Sequence, residues 1–187
     1  MATFYGTCDA AHNATADCKG ITGWSFSLAG AAVAWKSRTQ DLVSLSSCES
    51  ELIAVDEATR ELRFLLKLLT DFGIDSHQPV LLGQDNMGTI ALIESTHFNA
   101  RTRHVALRYH HTGFQQRAGV LKAVHLPTDQ MSSDVLTKPL STEAHQRHTA
   151  VLLGHKLISW EARKEHRKQV RWNLNSNSNH HPAVSST

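Results

Sequence analysis

No apolar run in these 187 residues approaches the roughly 20 that a helix needs to cross a bilayer. Met1-Ala2-Thr3-Phe4 lacks both a basic start and an apolar core, so no secretory signal is visible. Cysteine is scarce. Cys8, Cys18 and Cys48 are an odd count with no CxxC pair, which speaks for reduced thiols inside a cell and against a disulfide framework. A zinc site joining them to His12 would have a spacing unlike known ligand patterns, so buried small apolar side chains are expected instead. Net charge is nearly absent, at +2, but it is unevenly spread. Residues 1–157 carry 14 Lys/Arg against 15 Asp/Glu, and residues 158–187 carry 5 against 2. From Ser95 to Thr128 there is no acidic residue at all, while Arg101, Arg103, Arg108, Arg117 and Lys122 fall there. Such a stretch can track a phosphate backbone; on charge alone it reads equally as an ordinary solvated face.

What remains suits one soluble domain, with hydrophobic residues at 41% and charged residues at 19%. The first part of the chain reads as β structure: Thr3 to Ala10, Ile21 to Leu28 after a small-residue loop, then Ala31 to Ser37 after a turn at Gly30. Short strands punctuated by glycine predict an antiparallel meander. Ser46-Ser47-Cys48-Glu49 fits a capping box, and Leu52, Val55, Ala58, Leu62, Leu65 and Leu69 then recur at helical spacing up to Asp71-Phe72-Gly73. Val80 to Gln84 predicts a buried strand, Asn86 to Glu94 a helix and Arg101 to Arg117 a weaker one. Val120 to Leu126 predicts another strand, Ser132-Ser133 starts a short helix that Pro139 ends, and Ser141 to His155 a last helix. Residues 158–187 form a basic, then Asn/Ser/His-rich tail expected to be disordered, which leaves residues 1–157 as the domain. The order of elements is that of an α/β layer with a meander at one side and helices packed on the sheet.

Four acidic residues sit where these strands end or helices begin: Asp9, Glu51, Asp85 and Asp134. Any one of them has a mundane reading, since aspartate caps and turns chains. Brought together, four carboxylates repel unless cations lie between them. A pair of divalent ions that clamps the oxygens of a phosphodiester is the usual answer, so the pattern points to a metal-dependent nuclease. Glu51 is a better ligand candidate than Glu49. It lies in line with Val55, Ala58 and Leu62 on the packing face, where a carboxylate is costly unless paired, whereas Glu49 falls in line with Ile53, Asp56 and Arg60 and serves the cap.

The motifs that carry these residues resemble the ribonuclease H domain of copia-type retrotransposon polyproteins. They are Cys8-Asp9-Ala10, Gly23-Trp24-Ser25-Phe26, Ala34-Trp35-Lys36-Ser37, Ser46 through Ala54, Gln84-Asp85-Asn86, Arg101-Thr102-Arg103-His104-Val105, Arg108-Tyr109-His110 and Asp134 through Leu140. They run in order over about residues 5 to 155. The resemblance implies a ribonuclease H-like α/β fold: a mixed five-stranded sheet, antiparallel meander plus parallel strands, with helices on both faces. It implies hydrolysis of the RNA strand of RNA–DNA hybrids, with two Mg²⁺ ions (Mn²⁺ able to substitute) held by Asp9, Glu51, Asp85 and Asp134. One ion would activate water and the other stabilise the leaving 3′ oxygen.

Ser46, Ser47 and Asn86 become donors to the nucleic-acid backbone, and Arg101, Arg103, His104 and Arg108 candidates for phosphates. His125 stands roughly where some relatives keep a histidine assisting product release, although its place in a predicted strand suggests a packed side chain. Besides the hybrid, the implied partner is a reverse transcriptase polymerase domain acting in trans; no membrane is expected, and the chain is expected to be a monomer. Its compartment would be a cytoplasmic virus-like particle or the nucleus. Met1 stands a few residues before the first strand, which suggests a detached fragment or a separate gene product. One departure stands out: the family continues its first motif Asp-Ala-Asp-Trp, and this chain reads Asp9-Ala10-Ala11-His12. The alternative that follows is an inactive remnant or adopted domain that binds nucleic acid or protein.

Overall fold

The computed structural model describes residues 3–76, 78–95, 106–156 and 158. Strands β1 (Phe4–Ala11), β2 (Ile21–Leu28) and β3 (Ala31–Thr39) form the expected meander. Ala29 and Gly30 connect β2 to β3 with positive φ at both positions, 55° and 104°. That pair of left-handed residues is what a two-residue hairpin turn needs in order to match strand twist, and glycine makes the second one cheap. Strand β4 (Val80–Gln84) joins β1 in parallel, and β5 (Leu121–His125) joins β4 in parallel, so the sheet order is β3-β2-β1-β4-β5. β1 is central and buried along almost its whole length. At Gly6 a Cβ would lie 2.5 Å from the Phe26 ring, so the glycine makes room for the aromatic of the neighbouring strand.

Helix α1 (Ser47–Asp71) buries the predicted stripe Leu52, Val55, Ala58, Leu62, Leu65 and Leu69 on one face of the sheet. Ser46 caps it, accepting from the Glu49 N–H at 3.2 Å. The reciprocal half of the box differs: Glu49 accepts from the Leu45 N–H at 2.8 Å, one residue further back than expected. At the other end the Gly73 N–H reaches the Thr70 carbonyl and the Ile74 N–H the Leu69 carbonyl, and Gly73 has φ 70°. This is a Schellman stop that only an unhindered residue adopts cheaply.

Helices α2 (Met87–Glu94) and α3 (Ala106–Arg117) pack on the same side as α1. The N-terminal part of the helix expected from Arg101 lies outside the described residues, as does nearly all of the expected disordered tail. On the opposite face, α4 (Thr142–Leu152) closes a smaller core of Tyr5, Leu81, Val124, Leu126, Met131 and Val151. The short helix expected from Ser132-Ser133 is a 3-10 helix over Ser132–Leu136 and carries Asp134, and β1 runs two residues past Asp9. The face of α1 that carries Glu49, Ile53, Asp56 and Arg60 is covered near Asp56, which is 5% exposed. Its carboxylate is paired with His111 of α3 at 2.7 Å and with Arg60 at 3.1 Å. No helix of the described residues is long and apolar enough to cross a membrane.

Candidate metal and nuclease site

Asp9 on β1, Glu51 in the second turn of α1 and Asp85 just beyond β4 converge at the carboxyl end of the two central parallel strands. One carboxylate oxygen from each lies within 4.8 Å of the others. Asp9 and Glu51 are 1% and 6% exposed, so two of the three charges have lost most of their water. Asp85 is only partly buried. Burial is the main cause that pushes the Glu51 carboxyl up to about 9, and the Asp9 charge adds to it; a hydrogen bond from Gln84 opposes the rise. Burial likewise lifts Asp134 to about 7, reinforced by Asp9 and opposed by Lys138.

Each of the three converging carboxylates has one oxygen held by a neutral donor. Thr137 donates its hydroxyl to Asp9 Oδ2, Gln84 Nε2 donates to Glu51 Oε2 at 3.0 Å, and Thr128 donates to Asp85 Oδ2 at 3.2 Å. The orientation of the Gln84 amide follows from its other end, since Gln84 Oε1 accepts the Asn86 backbone N–H at 3.1 Å. Such outer partners fix ligand orientation. The donor set is all oxygen, which fits a hard divalent cation.

Asp134 reaches this group differently. Its oxygens are not among those that converge within 4.8 Å; instead Lys138 Nζ lies 3.2 Å from Asp134 Oδ1 and 3.5 Å from Asp9 Oδ2. Gly23 permits the approach. It is paired with Asp9 across the sheet, and a Cβ there would lie 2.6 Å from Thr137 Cγ2 and 2.8 Å from Leu136 Cβ. Gly23→Ala should therefore lift the Asp134–Lys138 segment off the sheet and cost about 1–3 kcal/mol of stability. Urea unfolding measures this, and an unchanged midpoint would refute the close approach.

The expected nucleic-acid contacts divide. Ser46 and Ser47 are exposed at the start of α1, Ser46 already serving as cap. Asn86 caps α2 through Oδ1, which leaves its amide N–H₂ to donate. Arg108 is turned to Asp56, 4.0 Å away, and lines a cavity with Trp24, Lys36, Arg38 and Glu57. Arg101, Arg103 and His104 lie outside the described residues. His125 is not packed, contrary to expectation: it is exposed at the end of edge strand β5, opposite Gln84, just past the buried Ala123 and Val124.

The cysteines also differ from expectation, because Cys18 is exposed and only Cys8 is fully buried. Among the described residues they join no metal-ligand cluster. Burial, then the charges of Glu51, Asp9 and Asp85, push the Cys8 thiol up, which makes it a packing group. Gln84, Thr128, Thr137 and Lys138 escaped sequence reasoning. Gln84, Thr137 and Lys138 stand inside recognisable motifs beside a carboxylate, while nothing local marks Thr128.

A mixed five-stranded sheet in this order, with helices on both faces and carboxylates at the ends of its central strands, defines the ribonuclease H fold. A solved ribonuclease H1 isolated from compost superposes with a TM-score of 0.55 at 15% identity, covering 80% of this chain and 99% of that one. The same enzyme in complex with an RNA/DNA hybrid gives 0.52 at 14% identity, over 72% and 94%. In sequence, the homologues of this chain are retrovirus-related Pol polyproteins of copia-type transposons. That of transposon RE2 from Arabidopsis thaliana is 36% identical over 132 residues, 71% of this chain and 9% of the polyprotein. That of transposon TNT 1-94 from Nicotiana tabacum is 32% identical over 120 residues, 64% of this chain and 9% of the polyprotein. The chain thus spans about a tenth of the relatives it matches. No family model matches it.

Proposed function

We propose that this chain is a hybrid-specific endoribonuclease domain, which hydrolyses the RNA strand of RNA–DNA hybrids with divalent cations. The observation that carries the reading is the meeting of Asp9, Glu51 and Asp85, from three distant segments, with oxygens within 4.8 Å. Carboxylates buried that closely are costly unless a cation holds them. Asp9, Glu51 and Asp85 would hold Mg²⁺, with Asp134 completing a second position beside Asp9. When bound, Mg²⁺ supplies Lewis-acid neutralisation of phosphodiester charge and lowers the pKa of water.

The chain's own groups supply orientation. Gln84, Thr128 and Thr137 each hold one carboxylate oxygen by a hydrogen bond, which fixes how that carboxylate is turned. Ser46, Ser47 and Asn86 lie at the starts of α1 and α2, where N–H groups and the helix dipole favour a phosphate. Recognition there is of backbone and 2′-hydroxyl, with little sequence reading. A polymerase domain acting in trans would hold the hybrid. The altered loop after Asp9 is absorbed locally, since His12 Nδ1 sits 2.9 Å from the Ser44 hydroxyl.

The test uses end-labelled RNA annealed to DNA. Internal cuts are expected in Mg²⁺ or Mn²⁺ and none with EDTA, and single-stranded RNA should survive. A folded protein that leaves the hybrid intact at every metal and protein concentration would favour the alternative, a binding domain without activity.

A further inference from the structure

Helix α4 is held to the second face of the sheet by little. Of its 11 residues only His148 and Val151 are buried, and Val151 alone joins the smaller core of Tyr5, Leu81, Val124, Leu126 and Met131. The other buried side chain is an imidazole, 2% exposed, whose Nδ1 has no hydrogen-bond partner among the described residues. A buried polar atom without a partner is tolerable on a neutral ring and far more costly on a charged one.

The surroundings make the charged form worse. An imidazolium carries a proton on both nitrogens, so Nδ1 would become a buried donor with no acceptor. Burial is the first cause that pushes His148 below its ordinary value of 6.5; the positive Arg147 and Lys138 add to it, and Asp129 opposes. Arg147 precedes it on α4, with its own Nε buried and unpartnered. Asp129 and Lys138 flank the 3-10 helix on which α4 packs, where the remaining carboxylate, Asp134, is already paired with Lys138. On the sheet, Lys36 and Arg38 of β3 line the cavity on the α1 side, while Tyr5 and Lys122, register partners of Leu81, are the titratable groups on the α4 side. Glu143 and His145 of α4 itself are exposed.

We propose that His148 makes the docking of α4 a pH-sensitive clasp, closed while the imidazole is neutral and released when acid charges it. Release uncovers the core face of Tyr5, Leu81, Val124, Leu126 and Met131 and removes the helix that packs on Ser132–Leu136. The clasp stands whether or not the chain cuts nucleic acid. A group whose folded value is depressed contributes stability that is present above its unfolded value and lost as the pH falls through the folded one. The clasp therefore weakens below pH 6.5. Glu51 and Asp134, both raised, act in the opposite direction on the whole domain, so the effect is read locally at α4.

Amide hydrogen exchange of the full chain in EDTA, compared at about pH 5.5 and about pH 7.5 and corrected for intrinsic rates, tests it. The opening constant of the α4 amides should rise about five- to tenfold at the lower pH relative to those of α1, because an opened imidazole takes up the proton that the closed one refuses. His148→Leu should abolish that rise, and His148→Phe takes its place should the leucine variant fail to fold by circular dichroism. As a second measurement, NMR titration of the His148 ring in the parent should show a midpoint below 6.5. A rise that persists in the neutral variant, no rise in the parent, or a ring that titrates at its ordinary value would overturn the clasp.

Discussion

Glu51→Gln is expected to abolish hybrid cleavage and at the same time to raise the stability of the metal-free protein. In the folded chain burial, joined by the Asp9 charge, holds the Glu51 carboxyl near 9 against an ordinary value of 4.5. A carboxyl raised on folding contributes stability that is complete below its unfolded pKa and is lost as the pH climbs through the folded one. The window is therefore pH 4.5 to 9, with metal-free stability falling across it. Asp134, held near 7, acts in the same direction. Glutamine removes the titration and keeps an oxygen on the side chain facing Gln84 Nε2.

At pH 8.5 in EDTA the gain should be about 2 kcal/mol or more, since every tenfold change in proton affinity between folded and unfolded chain is worth about 1.4 kcal/mol. For a domain of this size that is roughly 4–8 °C in melting temperature. The gap to the parent should shrink at pH 5.5, and Mg²⁺ should raise the parent at pH 8.5 by binding the folded state alone. Asp85→Asn provides the contrast: it should also end cleavage, yet stabilise far less, because Asp85 is only partly buried and its charge stays solvated. Identical melting curves for Glu51→Gln and parent at pH 8.5 would show that Glu51 bears no such burden.

The second large effect concerns a residue with no charge. Gln84 is fully buried and ties Glu51 Oε2 to the Asn86 N–H, the residue that caps α2. Gln84→Leu keeps the volume and removes both hydrogen bonds. One Glu51 oxygen is released to turn, and a backbone donor is left without its acceptor. Loss of an outer partner typically costs 10–100-fold in metal affinity or activity. A shift of that size is expected in the Mg²⁺ concentration for half-maximal cleavage, together with about 1–3 kcal/mol of stability for the orphaned group. A variant whose Mg²⁺ dependence matches the parent would mean that Glu51 is positioned by its helix alone. That would place the orientation of the site in the backbone, with the side-chain network secondary.

Helix α1 was legible in outline because its signals are local: a serine cap, an apolar stripe and a glycine stop each act within a few residues. The strands were legible for the same reason, and Glu51 separated from Glu49 on helical geometry alone. Local signals end at the site's finer parts. The 3-10 turn bearing Asp134 sits close over Gly23, a glycine more than a hundred residues earlier. His125 is exposed because β5 is the sheet's edge, which the strand's own alternation does not announce.

By itself, then, the order of residues determined which carboxylates stand at strand ends and helix starts, since hydrogen-bond periodicity and capping are short-range. Only the tertiary structure decided that three of them converge while the fourth meets an ammonium, and that threonine and glutamine donors hold their oxygens. Those relations depend on distances across the sheet, between segments that only the packing of the whole core brings together.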